Sequence, residues 1–348
     1  MLSLAVTAAS ALTPLGDTAE QTCTSVRAGI KGFSEHSFYL PLAAEEGAIG
    51  EDPLIVAQAP GIDPKSPAEE RLLDLLSPVL KDLVARAGKT SAQSELPLLL
   101  ALPEIDAVTE KWALGKAWMD DLSARTGLSF SMVKVNRSGR PGMLRLLSEA
   151  ARVLAARAAT RVIVAGVDSY LTEERLRHLD VAERVKSKRN VDGFIPGEAA
   201  SALLVVPASR VEPRGAPVLG VFEDMAQADE ARPFASRLQS SAAGLCGALR
   251  PLLARPAKWV SCDLNGESYR AIEWGIALAR LGGVLGPVER LTHPAFCTGD
   301  IGAATSGVLA STIFTAFQRG NAPLSEALIW AASDGPNRAA ARIVRAPT

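Results

Sequence analysis

Histidine and cysteine are scarce in this sequence, at three and four residues in a chain of 348. Cys23, Cys246, Cys262 and Cys297 stand far apart with no CxxC pair, which argues against a zinc site or a disulfide framework and makes a reducing, cytoplasmic setting the default. Charge of one sign is not in excess either. Lys and Arg number 37 against 38 Asp and Glu, with no long block of either, so neither nucleic acid nor an acidic membrane surface is indicated as a partner. No uninterrupted apolar run reaches the roughly 18 residues that a spanning helix needs. The first sixteen residues, MLSLAVTAASALTPLG, are small and apolar but lack the basic region that opens a signal peptide. The segment Gly282-Gly283-Val284-Leu285-Gly286 lacks the GxGxxG order of a dinucleotide fingerprint and reads as a helix C-terminal turn, so no cofactor is expected.

What is present is apolar bulk. With 48% of its residues hydrophobic, the chain can bury a large core organised as about two domain-sized units. Short apolar runs at residues 2–7, 97–102, 161–166, 202–206, 218–222, 327–331 and 339–344 read as buried strands. They alternate with helical stretches, and Asp17 stands where it could cap a helix ending near Gly29. Residues 68–87 carry a one-faced leucine and valine stripe closed by Gly88, and residues 143–159 form a helix whose alanines allow close burial. Further helices are expected around 234–254 and 267–281, and residues 299–307 read as a glycine-rich segment. Pro207, Pro213 and Pro217 punctuate a linker at 207–217, which divides the chain into halves at 1–206 and 218–348. Both halves end in strand, glycine-containing turn, strand, and this echo predicts two related α/β units.

Five motifs in order carry a resemblance. They are Thr13-Pro14-Leu15-Gly16 with the turn at 27–30; Val164-Ala165-Gly166-Val167-Asp168-Ser169; Asp192-Gly193-Phe194-Ile195-Pro196-Gly197-Glu198; Gly302-Ala303-Ala304; and Gly335-Pro336-Asn337. Together they resemble the β-ketoacyl synthases of the thiolase-like superfamily. The resemblance implies an α/β fold of five layers, αβαβα, with two pseudo-symmetric halves, and a dimer across the N-terminal sheets. The stretch from about Gly88 to Val133 is abbreviated relative to the family, which argues against a long acyl tunnel.

The family's chemistry is missing. Its nucleophile is a cysteine at the N-terminus of the buried central helix, where the helix dipole and backbone N–H groups favour a thiolate. Alignment puts Arg140 or Pro141 there. Its first histidine, in HGTGT, corresponds to Asn265, and its second, in GHxxGAAG, to Gly299 or Asp300. Decarboxylative condensation needs an acyl nucleophile and two donors aimed at the developing oxyanion, and an Asn with an Asp carboxylate cannot replace two imidazoles. The expectation is a pseudoenzyme.

Rival sites are weaker. Cys297 beside His293 and Asp300 could be drawn as a new nucleophilic centre, but free cysteine is more simply a core residue. Ser138 would need an activating base. Arg184, Lys186, Lys188 and Arg189 form a basic cluster read as a solvated loop at the family's active-site mouth, and they are the partner-binding candidates. The resemblance leaves three readings open. The first is a non-catalytic accessory or adaptor protein of the short kind found in type VI secretion effector clusters, partnering an effector or spike component. The second is a silent, chain-length-factor-like partner of an active ketosynthase, as a homodimer or heterodimer. The third is a residual acyltransferase using Ser138 or Cys297.

Overall fold

A computed structural model describes residues 2–36, 53–88, 95–188, 190–211 and 217–346. Arg189 and residues 212–216 of the expected linker lie outside them. The strands are β1 (Leu4–Leu12), β2 (Ser34–Glu35), β3 (Ile55–Val56), β4 (Leu98–Ala101), β5 (Val133–Asn136), β6 (Val162–Ser169), β7 (Glu198–Pro207), β8 (Gly220–Asp229), β9 (Trp259–Cys262), β10 (Arg290–Thr292), β11 (Glu326–Ala332) and β12 (Asn337–Val344). All but β2 and β3 join one sheet in the order β10-β9-β11-β12-β8-β1-β7-β6-β4-β5.

That order is the same motif twice. Counting the five main strands of each half in chain order, both run third, second, fourth, fifth, first. In both, the second strand is parallel to the third and fourth, and the fifth is antiparallel to the fourth and first. The halves meet where Leu4, Ala5 and Val6 of β1 pair with Phe222, Val221 and Gly220 of β8.

Two helices fill the middle, α4 (Gly142–Ala155) and α9 (Thr305–Gln318). Side chains alternate across a strand, so a strand covered on both faces feeds two cores. In β6, Val162 and Val164 face the central core shared with α4 and α9, whereas Ile163, Ala165 and Val167 face an outer core. That outer core is covered by α2 (Ala68–Arg86) and α3 (Lys116–Thr126). On the other half, Val260, Cys262, Leu328 and Trp330 turn outward to α6 (Ala243–Leu249) and α7 (Ser268–Leu285). With the two halves of the sheet as separate layers, the result is helix, sheet, helix, sheet, helix, the five layers expected.

Local differences have physical reasons. Helix α1 (Ala19–Ala28) is capped by Thr18, whose Oγ1 accepts a hydrogen bond from the Gln21 N–H at 3.1 Å, not by Asp17. Gly29 ends α1 at φ 69°, a left-handed position that glycine takes without steric cost. Helix α9 was not visible as a helix because it is buried nearly all round and rich in Thr, Ser and Gly, so no polar face marks its period. Glycines 282 and 283 lie inside the last turn of α7, and Gly286 follows it. The short helices α5 (Glu173–Val181) and α8 (Ala295–Thr298) complete the set used below. Among the described residues, no helix is long and apolar enough to cross a membrane.

Candidate functional site

Four chain segments converge where α4 begins: the turn before α4, the loop after β9, the approach to α9, and the β11–β12 hairpin. Pro141 stands at the N-cap of α4, and a proline fits there because the first turn needs no N–H partner within the helix. Arg140 precedes it with its side chain 2% exposed. The Arg140 guanidinium donates from Nε to Asp300 Oδ2 at 2.7 Å and from Nη1 to Asp334 Oδ1 at 3.0 Å. Asn265 donates from Nδ2 to the same Asp300 oxygen at 2.7 Å. The structure thus brings together Arg140, Asn265 and Asp300, three of the residues that the family resemblance offers in place of a thiol and two imidazoles. Gly299 holds the turn beside them at φ 66°.

The cluster extends through residues that the motifs did not reveal. Arg184 donates to Glu267 at 2.8 and 3.0 Å and to Asp334 at 2.6 Å. Arg270, 1% exposed, reaches Glu267 Oε2 at 3.2 Å and lies 3.7 Å from Asp263 Oδ2. It also donates to Asp334. Three guanidiniums, Arg140, Arg184 and Arg270, therefore face four carboxylates, Asp263, Glu267, Asp300 and Asp334. A buried charge is tolerated when it is both paired and hydrogen-bonded: Asp300 Oδ1 accepts from the Gly302 N–H at 3.0 Å and Asp263 Oδ2 from the Ala332 N–H at 2.7 Å, whereas Asp263 Oδ1 and Arg140 Nη2 have no hydrogen-bond partner among the described residues. The cavity left beside Asp263 and Asp300 measures about 10 Å³, about the room for one water.

Charge is distributed unevenly over these acids. Burial works to raise the Asp300 carboxyl, but Arg140 and Arg270 with the Arg140 and Asn265 hydrogen bonds hold it below its ordinary value. At Asp334, burial is likewise outweighed by Arg184, Arg140 and Arg270. Asp263 goes the other way, pushed by burial up to about 6 despite Arg270. Glu104 accepts the Asp334 and Gly335 N–H groups at 2.9 and 2.7 Å, and burial together with the adjacent Asp334 charge raises it to about 7.

The Glu104 shift has a testable sign. Unfolded glutamate titrates near about 4.3, so between that value and about 7 the folded state holds a proton that the unfolded state has lost, and stability falls as pH rises through this window. Glu104→Gln removes that component while keeping an oxygen acceptor. The melting temperature of the variant minus that of the parent is expected to increase from pH 5 to pH 8, read by scanning calorimetry. A difference that stays flat with pH would contradict the assignment.

The basic cluster does not behave as one solvated loop. Arg184 is 12% exposed and belongs to the buried network, with Phe194 and Phe234 within 5.2 and 4.2 Å of its guanidinium carbon. The sequence gives no signal that separates it from Lys186 and Lys188, which are exposed. Lys186 donates to the Val191 carbonyl at 2.9 Å. Beyond Asn265 and Glu267 lies an open cavity of about 360 Å³ whose walls include Lys31, Lys186, His293 and Phe296. Cys297 is buried in α8, burial raises its thiol, and His293 is exposed. Ser138 has no hydrogen-bonded base among the described residues, although its backbone N–H donates to Asn136 Oδ1 at 2.9 Å. Among the described residues, no group of three His, Cys, Asp or Glu side chains is arranged to hold a metal ion.

Three of the sequence motifs interlock around this centre. Asp168 accepts the Ala303 N–H at 2.9 Å, pairs with Arg175 of α5, and lies so close to Gly302 that a Cβ there would sit 1.9 Å from its Oδ2. A side chain at Gly197 would strike the Thr298 and Asp300 carbonyls at 2.8 and 3.0 Å. Glu198 of the same motif is fully buried against Arg71 of α2.

No family profile matches this chain, and no curated protein matches it. Solved structures do. The ishigamide ketosynthase/chain length factor superposes with a TM-score of 0.74 at 18% identity, covering 99% of this chain and 100% of that one. A type II polyketide acyl-carrier protein complex with its ketosynthase bound to the hexaketide gives 0.77 at 13% identity over 99% and 100%. The oxazolomycin ketosynthase domain of Streptomyces albus JA3453 gives 0.73 at 14% identity, covering 99% of this chain and 75% of that one. With its doubled strand order, five layers and whole-chain superposition on these proteins, the chain has the thiolase-like fold of the ketosynthases.

Proposed function

We propose that this protein is a non-catalytic, chain-length-factor-like partner of an active ketosynthase. The observation that carries the proposal is the mutual bonding of Arg140, Asn265 and Asp300. The positions that the resemblance offers for attacking, polarising and stabilising an acyl group are occupied by groups that bond one another. None of the four cysteines lies at the start of α4, and neither Arg nor Asp in an ion pair acts as an acyl nucleophile.

The expectation of a type VI secretion adaptor finds no support in the comparisons, which lead instead to a ketosynthase/chain length factor and to a ketosynthase with its carrier protein. A partner role uses the fold as a body with an open sheet edge. Among the described residues, strand β5 pairs only with β4, and Met132, Val133 and Val135 on or beside it are 38%, 40% and 42% exposed. An apolar, unpaired edge favours pairing with a second chain.

Affinity purification from the native organism with mass spectrometry tests the reading, and recovery of a ketosynthase and an acyl carrier protein is expected. Recovery of a secretion spike component without them would sink it. The loss of chemistry is tested separately by intact-mass measurement after incubation with acyl-CoA and acylated carrier protein. No stoichiometric adduct is expected, and a saturable adduct on Ser138 or Cys297 would restore the residual acyltransferase reading.

A further inference from the structure

A second cavity, of about 300 Å³, lies between α1, α9 and the edge strand β10 and shares no residue with the Arg140 network. Its floor includes Val26, Trp259, Pro294 and Ala316. The polar groups of that floor already have partners. The Trp259 indole N–H donates to Thr292 Oγ1 at 3.3 Å, the Thr312 hydroxyl to the Leu309 carbonyl at 2.8 Å, and the Cys23 thiol to the Thr312 carbonyl at 3.3 Å. What the floor offers a ligand is therefore apolar contact.

The rim differs. Arg27 and Arg290 both border the cavity, and neither has an acidic partner among the described residues. Arg27 spends one nitrogen, Nη1, on the Asn321 carbonyl at 2.7 Å. The acids nearest them in sequence are engaged elsewhere, Glu20 with Arg86 at 2.6 Å and Glu289 with Lys258 at 2.8 Å. A guanidinium offers a planar fork that matches a carboxylate, and small-molecule sites begin near about 300 Å³ with apolar walls and a few placed polar groups.

We propose that this cavity binds an amphipathic carboxylate, the free acid of a medium-length aliphatic chain, with its chain on the Trp259 floor and its head between Arg27 and Arg290. The site is independent of the partner role, since it uses none of the same residues. Calorimetric titration with decanoate, below its micellar range, is expected to saturate at one equivalent. Arg27→Ala and Arg290→Ala, both at exposed positions, are each expected to weaken binding about tenfold, the scale of a lost charge-assisted hydrogen bond. Decanol, which lacks the charge, is expected to bind as weakly to the parent. Bound decanoate should also slow maleimide labelling of Cys23, mapped by peptide mass, without slowing that of Cys246. No saturation by about 1 mM, affinity unchanged from the parent in both variants, or binding without protection of Cys23 would overturn the assignment.

Discussion

Arg140→Met is expected to destabilise the protein by about 3–5 kcal/mol, the range for breaking a buried ion pair by removing one partner. Methionine keeps much of the volume but leaves Asp300, 2% exposed, with only Asn265 Nδ2 and the Gly302 N–H as donors among the described residues. Asp334 fares better because Arg184 and Arg270 still reach it. The penalty should carry a pH signature. In the parent, Asp300 is held below its ordinary value, so its contribution is present above the unfolded aspartate value of about 3.9 and lost as pH falls through the lower folded value. In the variant, protonating Asp300 removes the orphaned charge. The deficit relative to the parent is therefore greatest near neutral pH and shrinks as pH falls toward and through about 4. Adding Asp300→Asn, which keeps an acceptor for the Gly302 N–H, should recover a substantial part of the loss. Urea unfolding by fluorescence and circular dichroism reads all three proteins. A single variant within about 1 kcal/mol of the parent would mean that the network is a solvated crossing of side chains and not a buried structural element.

The sequence carried the strands and the family motifs because both are written in local pattern. Residues 161–166 and 202–206 are continuous apolar runs, and a strand covered on both faces must be one. The motif glycines were legible for a related reason. Gly166, Gly197 and Gly302 each stand where an added Cβ would meet a neighbour at 2.8 Å or less, so close packing fixes glycine at these positions. Helix α9 was not legible, since a helix buried all round has no alternating face to betray it.

The buried network shows the same limit at the level of the site. Alignment to the motifs brought Arg140, Asn265 and Asp300 to one place, yet nothing local says that Arg140 bonds Asp300 across 160 residues. Arg184 looked like its exposed neighbours Lys186 and Lys188, because burial by Phe194 and Phe234 is a property of the tertiary structure. Glu104 and Arg270 belong to no motif; Glu104 joins the network through the hairpin at Asp334 and Gly335, and Arg270 through Asp334, Glu267 and Asp263. Ion pairs that link five distant segments leave no period to read.

The other large effect is expected at the edge of the N-terminal half. If β5 is where a second chain adds to the sheet, the protein alone at micromolar concentration should scatter light as a dimer, and Val133→Lys with Val135→Lys should shift it to a monomer with its melting temperature nearly unchanged. Both valines are about two-fifths exposed, at 40% and 42%, so replacing them costs the isolated fold little. They point away from Lys134, whose ammonium pairs with Glu149 of α4 at 2.6 Å, so two lysines would add charge to the open face without disturbing the central layer. Edge lysines are also the device by which natural sheets prevent edge-to-edge pairing. The same double variant separates the two forms that the partner role can take. Where the parent is a monomer alone but a heterodimer when produced with its ketosynthase, the lysines should abolish the heterodimer instead. A variant that pairs as well as the parent in both settings would place the interface elsewhere and leave β5 as an edge protected only by its shortness, four residues from Val133 to Asn136.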